Sequence, residues 1–331
     1  MSNLKHLLLS MSLLLMASPA LAQAEKMSQI VVAYQPGDAS SQGIVKQEGW
    51  FTEVSGTPVV YKDFNSGADV YRAMASGAVD MGLIGNAPFT IAVTQGAKYT
   101  AVWWYVVGMT AEGLVVRDPS PIHSVADLKG QKVATPFGST SDFMLHGTLD
   151  AAGLKPQEAR LINLAPQAIL AAWTRGDINA AYIWEPVLGQ LAKQNGRIIA
   201  FNKDLLSKGY LAGDVGFVKT SLLREHPEVV KAWMMANIRA MDLIKTDRTK
   251  AEEVAAKAYG SSIDEMKATF EGDLFPTAQE QLGPEYLGGL GDKLYQIATL
   301  LASEKLVPEV AAPEVYKAAV SVEPLKAAMM P

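Results

Sequence analysis

Three short turns carry residue types suited to holding an anion. Phe137-Gly138-Ser139-Thr140-Ser141 follows an apolar strand-like run and opens a helical one, with Pro136 before it. Free backbone N–H groups and hydroxyls converge at such a turn, and the helix dipole adds partial positive charge there. Asn65-Ser66-Gly67 and Gly85-Asn86-Ala87-Pro88 repeat the arrangement earlier in the chain. Taken singly, each is an ordinary N-cap, for which serine, threonine and asparagine are preferred. Three together, each after a strand, favour an oxyanion cradle that needs no arginine.

Two acids supply the complementary chemistry. Asp214 sits within Leu211-Ala212-Gly213-Asp214-Val215-Gly216-Phe217, and Glu112 precedes Gly113-Leu114-Val115-Val116. A carboxylate beside an apolar cleft is costly unless it meets a cation or hydrogen-bond donors. A ligand ammonium would satisfy it, and so would solvent or a partner within the fold. Trp184, Tyr34 and the adjoining Gln35 lie at strand ends where they could wall such a cleft, and an aromatic wall shelters an ammonium. Trp103-Trp104-Tyr105 could do the same, although aromatics at strand positions are mostly core.

Several other chemistries lack their residues. His6, His123, His146 and His226 are scattered and match no zinc-binding spacing, so no metal site is expected. No Gly-x-Ser-x-Gly elbow and no phosphate loop occurs, and no cofactor is implied. With 0 cysteines, disulfides, thiolate metal sites and thiol catalysis are excluded. The net charge of −5, or −6 once Lys5 is removed with a leader, argues against nucleic acid and anionic membranes as partners.

The elements that must position these residues alternate between short apolar runs and amphipathic helices, which predicts an α/β fold with mostly parallel sheets flanked by helices. Strands are expected at Gln29–Tyr34, Pro58–Phe64, Met81–Ile84, Thr100–Val107, Gly113–Val116, Lys132–Thr135, Arg160–Asn163, Ala180–Ile183 and Val215–Lys219. Beyond Ser221 only helices are expected, at Pro227–Thr246, Lys250–Tyr259, Ser262–Phe270 and Leu290–Ala302. The stretch from Asp63 to Pro88 resembles that from Ile162 to Pro186, each a strand–helix–Gly–strand–Pro unit. Either any two βαβ units look alike, or two lobes of similar build face a shared cleft at their strand ends. The expected division is 27–117 with 222–331 in lobe 1, its C-terminal part helical, and 118–221 in lobe 2.

The N-terminus reads as an export signal over 1–22. Lys5 and His6 precede an apolar run from Leu7 to Met16, and Ala20-Leu21-Ala22 offers a small-x-small cleavage site. The run is shorter than the ~20 residues a membrane span needs. A soluble, periplasmic chain is therefore expected, and about 300 residues suffice to bury most of the unfolded surface in a core without disulfides.

Nearly the whole chain after the leader, from Val31-Val32-Ala33-Tyr34-Gln35 to the C-terminal helices, resembles the taurine and aliphatic-sulfonate binding proteins that serve ABC importers. The most specific stretch is Asn163-Leu164-Ala165-Pro166-Gln167-Ala168-Ile169-Leu170-Ala171-Ala172-Trp173-Thr174-Arg175-Gly176-Asp177-Ile178, followed by Ala181-Tyr182-Ile183-Trp184. Phe64-Asn65-Ser66-Gly67-Ala68, Phe137-Gly138-Ser139-Thr140 and His226-Pro227-Glu228-Val229-Val230-Lys231-Ala232 also match. The resemblance implies a two-lobe, type II Venus-flytrap periplasmic binding protein, monomeric and not an enzyme. It further implies a small sulfonate in the cleft and docking onto the transmembrane subunit of an ABC permease. Carried over, Ser66, Ser139 and Thr140, beside Ser141, would fall in the sulfonate cradle. Asp214 would meet an ammonium, and Gly85 with Asn86 would line the wall. Other small ligands fit the same build, namely aromatic or alkane sulfonates, nitrate or a thiamine precursor. Enzymes of thiamine-pyrimidine biosynthesis are similar in fold but carry a cysteine-rich motif absent here. The chain departs from the family at Asn86-Ala87, where serines are more common, and at Asp142, whose charge should weaken sulfonate binding unless it points away. At Gly216 a bulkier residue is replaced, which is expected to leave the ammonium side roomier.

Overall fold

The computed structural model describes residues 27–36 and 40–330. The expected signal peptide, 1–22, lies outside the described residues. No helix among the described residues is long and apolar enough to cross a membrane.

Among the described residues eleven strands form two sheets. They are β1 (Ile30–Tyr34), β2 (Val59–Asp63), β3 (Met81–Gly85), β4 (Tyr99–Gly108), β5 (Glu112–Arg117), β6 (Lys132–Thr135), β7 (Arg160–Asn163), β8 (Ala180–Trp184), β9 (Gly196–Phe201), β10 (Gly213–Lys219) and β11 (Asp273–Leu274). The first sheet has the order β11-β4-β10-β3-β1-β2 and the second β7-β6-β8-β5-β9. Read from β2 and from β7, the two orders follow one plan. A parallel trio comes first (β2-β1-β3 and β7-β6-β8), and an antiparallel strand then joins its third member (β10 and β5). The duplicated unit seen in the sequence therefore corresponds to a duplicated topology.

The sheets are mixed, because the first strand laid down after each crossing, β5 in the second sheet and β10 in the first, runs against both its neighbours. β5 pairs with β8 and β9, so 112–117 belongs with the second sheet, and β10 pairs with β3 and β4, so 213–219 belongs with the first. The crossovers fall at 109–111 and 202–212, earlier than the expected 117/118 and 221/222. At the first crossover, Gly272 O accepts from the N–H groups of Met109, Thr110 and Ala111 at 3.2, 2.8 and 3.2 Å. A Cβ at Gly272 would lie 2.6 Å from Ala111 N, so a side chain there would displace the crossover.

Nine strands match the expected ones within two residues at either end. β9 and β11 were not expected. β9 is half-buried along its whole length, so it lacks the period-2 contrast that marks a strand. β11 has only two residues and is defined by pairing with Gly108 and Val107 of β4.

The large aromatics go to the cores. Trp103, Trp104, Tyr105 and Trp233 are fully buried in the core of the first lobe, and Trp173 is buried under the second sheet. A further cluster joins Ala87 and Ile91 of helix Asn86–Thr94 and Ile297 and Leu301 of helix Leu290–Ser303 to Phe143, Leu145 and Leu149 of helix Thr140–Ala151. The lobes thus meet through packed side chains as well as through the crossovers.

Candidate ligand-binding cleft

A cleft lies where the strand ends of the two sheets face each other. Its cavity measures about 80 Å³. At ~10–15 Å³ per water on that measure, it admits a ligand of a few heavy atoms. Gln35, Gly85 and Asp214 line it from the first lobe, and Glu112, Ser139, Thr140 and Trp184 from the second.

One wall is the start of helix Thr140–Ala151. Gly138 has φ +76°, a conformation that suits glycine and turns the chain into the helix. Ser139 caps it, its Oγ accepting from Asp142 N at 3.2 Å. Thr140 Oγ1 is closed off from solvent and has no hydrogen-bond partner. Across the cleft Gly85 comes so near that a Cβ there would sit 2.2 Å from Thr140 Oγ1. The pairing of Gly85 with Asp214 on β10 sets that position.

Asp142 is not among the residues that line the cavity. Its Oδ2 accepts from Gly138 N at 2.9 Å, and its Oδ1 lies 3.8 Å from His146 Nε2. His146 Nδ1 in turn lies 3.4 Å from Glu304 Oε2. Burial pushes the Asp142 carboxyl up and the His146 imidazole down, so both tend toward their neutral forms.

Glu112 is committed to the fold. Ser141 Oγ donates to its Oε1, and Asn202 Nδ2 donates to its Oε2 at 2.6 Å. Asn202 Oδ1 accepts from Tyr182 OH at 2.8 Å, so the network ties β5, β8, helix Thr140–Ala151 and the second crossover together. Burial raises the Glu112 carboxyl, and the bonds from Ser141 and Asn202 pull it back.

Four expected site residues stand apart from the cavity lining. Tyr34 is 1% exposed, donates from its OH to Ala258 O at 3.1 Å and stacks on Tyr259. Ser66 caps helix Gly67–Ala75, accepting from Asp69 N at 3.4 Å and donating to Asp69 Oδ2 at 3.0 Å. Asn86 is buried and donates to Leu211 O at 2.8 Å, tying the end of β3 to the second crossover. Ser141 is spent on Glu112. Trp103, Trp104 and Tyr105 are core residues. Gly216 is also corrected, since its missing side chain leaves no room in the cleft. A Cβ there would lie 2.8 Å from Trp103 Cβ, and Trp233 and Tyr105 close the same space.

The cleft also contains residues that sequence reasoning did not single out. Asn65 and Gly67, which flank the expected Ser66, line the cavity. Glu185 follows β8 directly, and its Oε2 accepts from Gly189 N at 2.9 Å. Thr269 and Asp273 come from the C-terminal helical layer, which carried no strand signal to place them at a cleft.

Two lobes of one plan, joined by paired crossovers around a small polar cleft, define the class as a two-lobed periplasmic binding protein fold. The chain belongs to the NMT1-like family, which residues 23–259 match. It is 31% identical over 308 residues to the taurine-binding periplasmic protein of Escherichia coli K12, covering 91% of this chain and 95% of that protein. The alkanesulfonate-binding protein of Xanthomonas axonopodis pv. citri, solved with MOPS bound, superposes with a TM-score of 0.73 at 23% identity, covering 91% and 99% of the two chains. The fold is shared with a desulfurization enzyme, DSZB, at a TM-score of 0.65 and 17% identity, over 92% and 99%. The expected resemblance to taurine- and sulfonate-binding proteins is borne out by these relatives.

Proposed function

We propose that this chain is the capture component of an ABC importer, trapping taurine or a related small sulfonate zwitterion between its lobes and passing it to a transmembrane permease subunit. One observation carries the reading. A helix N-terminus with Ser139 and the unpartnered Thr140 Oγ1 faces a wall bearing Asp214 across a cavity sized for a few heavy atoms. The first wall suits an oxyanion and the second an ammonium. The similarity to the taurine-binding protein of E. coli supports both the ligand and a periplasmic setting. The chain acts as a monomer and by binding alone. Its lack of cysteine sets it apart from thiol chemistry, and no cluster of three or more potential metal ligands occurs among the described residues.

Isothermal titration with taurine, ethanesulfonate, choline and glycine betaine tests the ligand. Micromolar or tighter binding of taurine is expected, and failure of all four ligands at that level would remove the assignment. Asp214→Ala is expected to weaken taurine about tenfold or more, the loss typical of a hydrogen bond to a charged group. Ethanesulfonate, which lacks the amine, should change little. Equal losses for both ligands would make Asp214 a structural residue.

A further inference from the structure

Helices from two separate cores meet beside the cleft. Helix Val187–Lys193 packs under the second sheet through Val187, Leu188 and Leu191. Helix Ile263–Gly272 packs on the core of the first lobe through Met266 and Phe270. Between them Gln190 Nε2 donates to Glu265 Oε1 at 2.8 Å, across 75 residues of sequence. Both helices border the cavity. Glu185, just before the first, and Thr269, one turn beyond Glu265 on the second, line it, whereas Gln190 and Glu265 themselves do not. Glu265 is held so that one oxygen faces the other lobe. Its Oε2 accepts from Ser262 N and Ser262 Oγ, each at 2.9 Å, in a capping box that fixes the carboxylate on its own helix start. Oε1 is left to meet Gln190. The bonds from Gln190 and Ser262 hold the Glu265 carboxyl below the usual carboxylate range, so it is charged at neutral pH.

We propose that Gln190 and Glu265 form a latch between the lobes, which holds the cleft shut on its ligand and sets how long the ligand stays. The inference rests on the capture reading given above and adds the residues that govern release. A ligand enters while the lobes are apart, so the bond contributes only once they have closed. Breaking it therefore speeds dissociation and leaves association unchanged. An amide donor suits a contact that must form and break in every cycle. Its bond to a carboxylate is stronger than one between neutral groups, yet it brings no second charge that closure would have to desolvate.

The test is stopped-flow kinetics of taurine binding to the full chain and its variants. Gln190→Ala should speed dissociation about three- to thirtyfold, a half-buried bond to a charged group contributing less than a fully buried one. Association and the ligand-free melting temperature should change little. Gln190→Glu should weaken binding further, because two carboxylates then face each other. Adding Glu265→Gln to that variant reverses the polarity of the pair. The introduced amide keeps its oxygen on Ser262 N and turns its NH₂ toward the introduced carboxylate, so most of the wild-type residence time should return. Unchanged dissociation in Gln190→Ala, a loss carried by association, or a double variant no better than Gln190→Glu would overturn the latch. A wild-type chain that binds no taurine would remove the ligand assignment, and a second measurement then decides the latch alone. The chain has 0 cysteines, so Gln190→Cys combined with Glu265→Cys supplies the only two thiols for a short bis-maleimide. Cross-linking within one chain is expected, and its absence would show that the two lobes do not meet there.

Discussion

Gly85→Val is expected to weaken taurine binding by about a hundredfold while leaving the ligand-free chain folded. The glycine is not needed for backbone freedom, since its φ of −58° suits any residue. It is needed because the lobes meet there. Even a Cβ would lie 2.2 Å from Thr140 Oγ1, and valine adds two methyl groups. Overfilling a packed contact costs about 1–3 kcal/mol. That cost falls on the form in which the lobes close on the ligand, so apparent affinity drops by the fraction of closed molecules lost, about tenfold per 1.4 kcal/mol. Ligand-free melting should shift little, because an open cleft relieves the clash at no cost to either core. Unchanged affinity in titration calorimetry would show that Gly85 and Thr140 do not face each other when ligand is held.

Glu112→Leu is expected to have the largest effect on stability, about 3 kcal/mol or more. The substitution leaves the Ser141 hydroxyl and the Asn202 amide buried without their acceptor. Orphaning a buried polar group costs about 1–3 kcal/mol, and two are orphaned here. For a chain of this size each kcal/mol lowers the melting temperature by roughly 2–4 °C. Glu112→Gln should be far milder, because its amide oxygen can accept from Asn202 Nδ2 while its NH₂ donates to Ser141 Oγ. Calorimetric melting of both variants separates the outcomes, and a leucine variant as stable as wild type would mean the network is not what holds this crossover.

Ser139, Thr140 and Asp214 could be picked out from the sequence because their signals are local. A capping hydroxyl after a strand, or an acid in an apolar run, marks itself within a few residues. Glu112 was visible as a buried acid by the same logic, but its partners were not. Ser141 lies 29 residues away and Asn202 90 residues away. Tyr34 and Ser66 show the limit from the other side. Each stands next to a cleft residue, Gln35 or Asn65 and Gly67, and the side chain one position along is aimed into the core or the helix cap instead.

Hydrophobic period and turn chemistry determined nine strands, the main helices, the repeated unit and the helix N-terminus that faces the cleft, since each depends on neighbours within one or two turns of chain. Only tertiary structure decided which sheet receives β5 and β10, where the lobes cross, and that Asp273 reaches the strand end beside Asp214. These follow from strand pairing between distant segments and from the balance of burial and charge where they meet. A residue in a two-residue strand, remote in sequence from the strands it meets at the cleft, leaves no local trace of its place there.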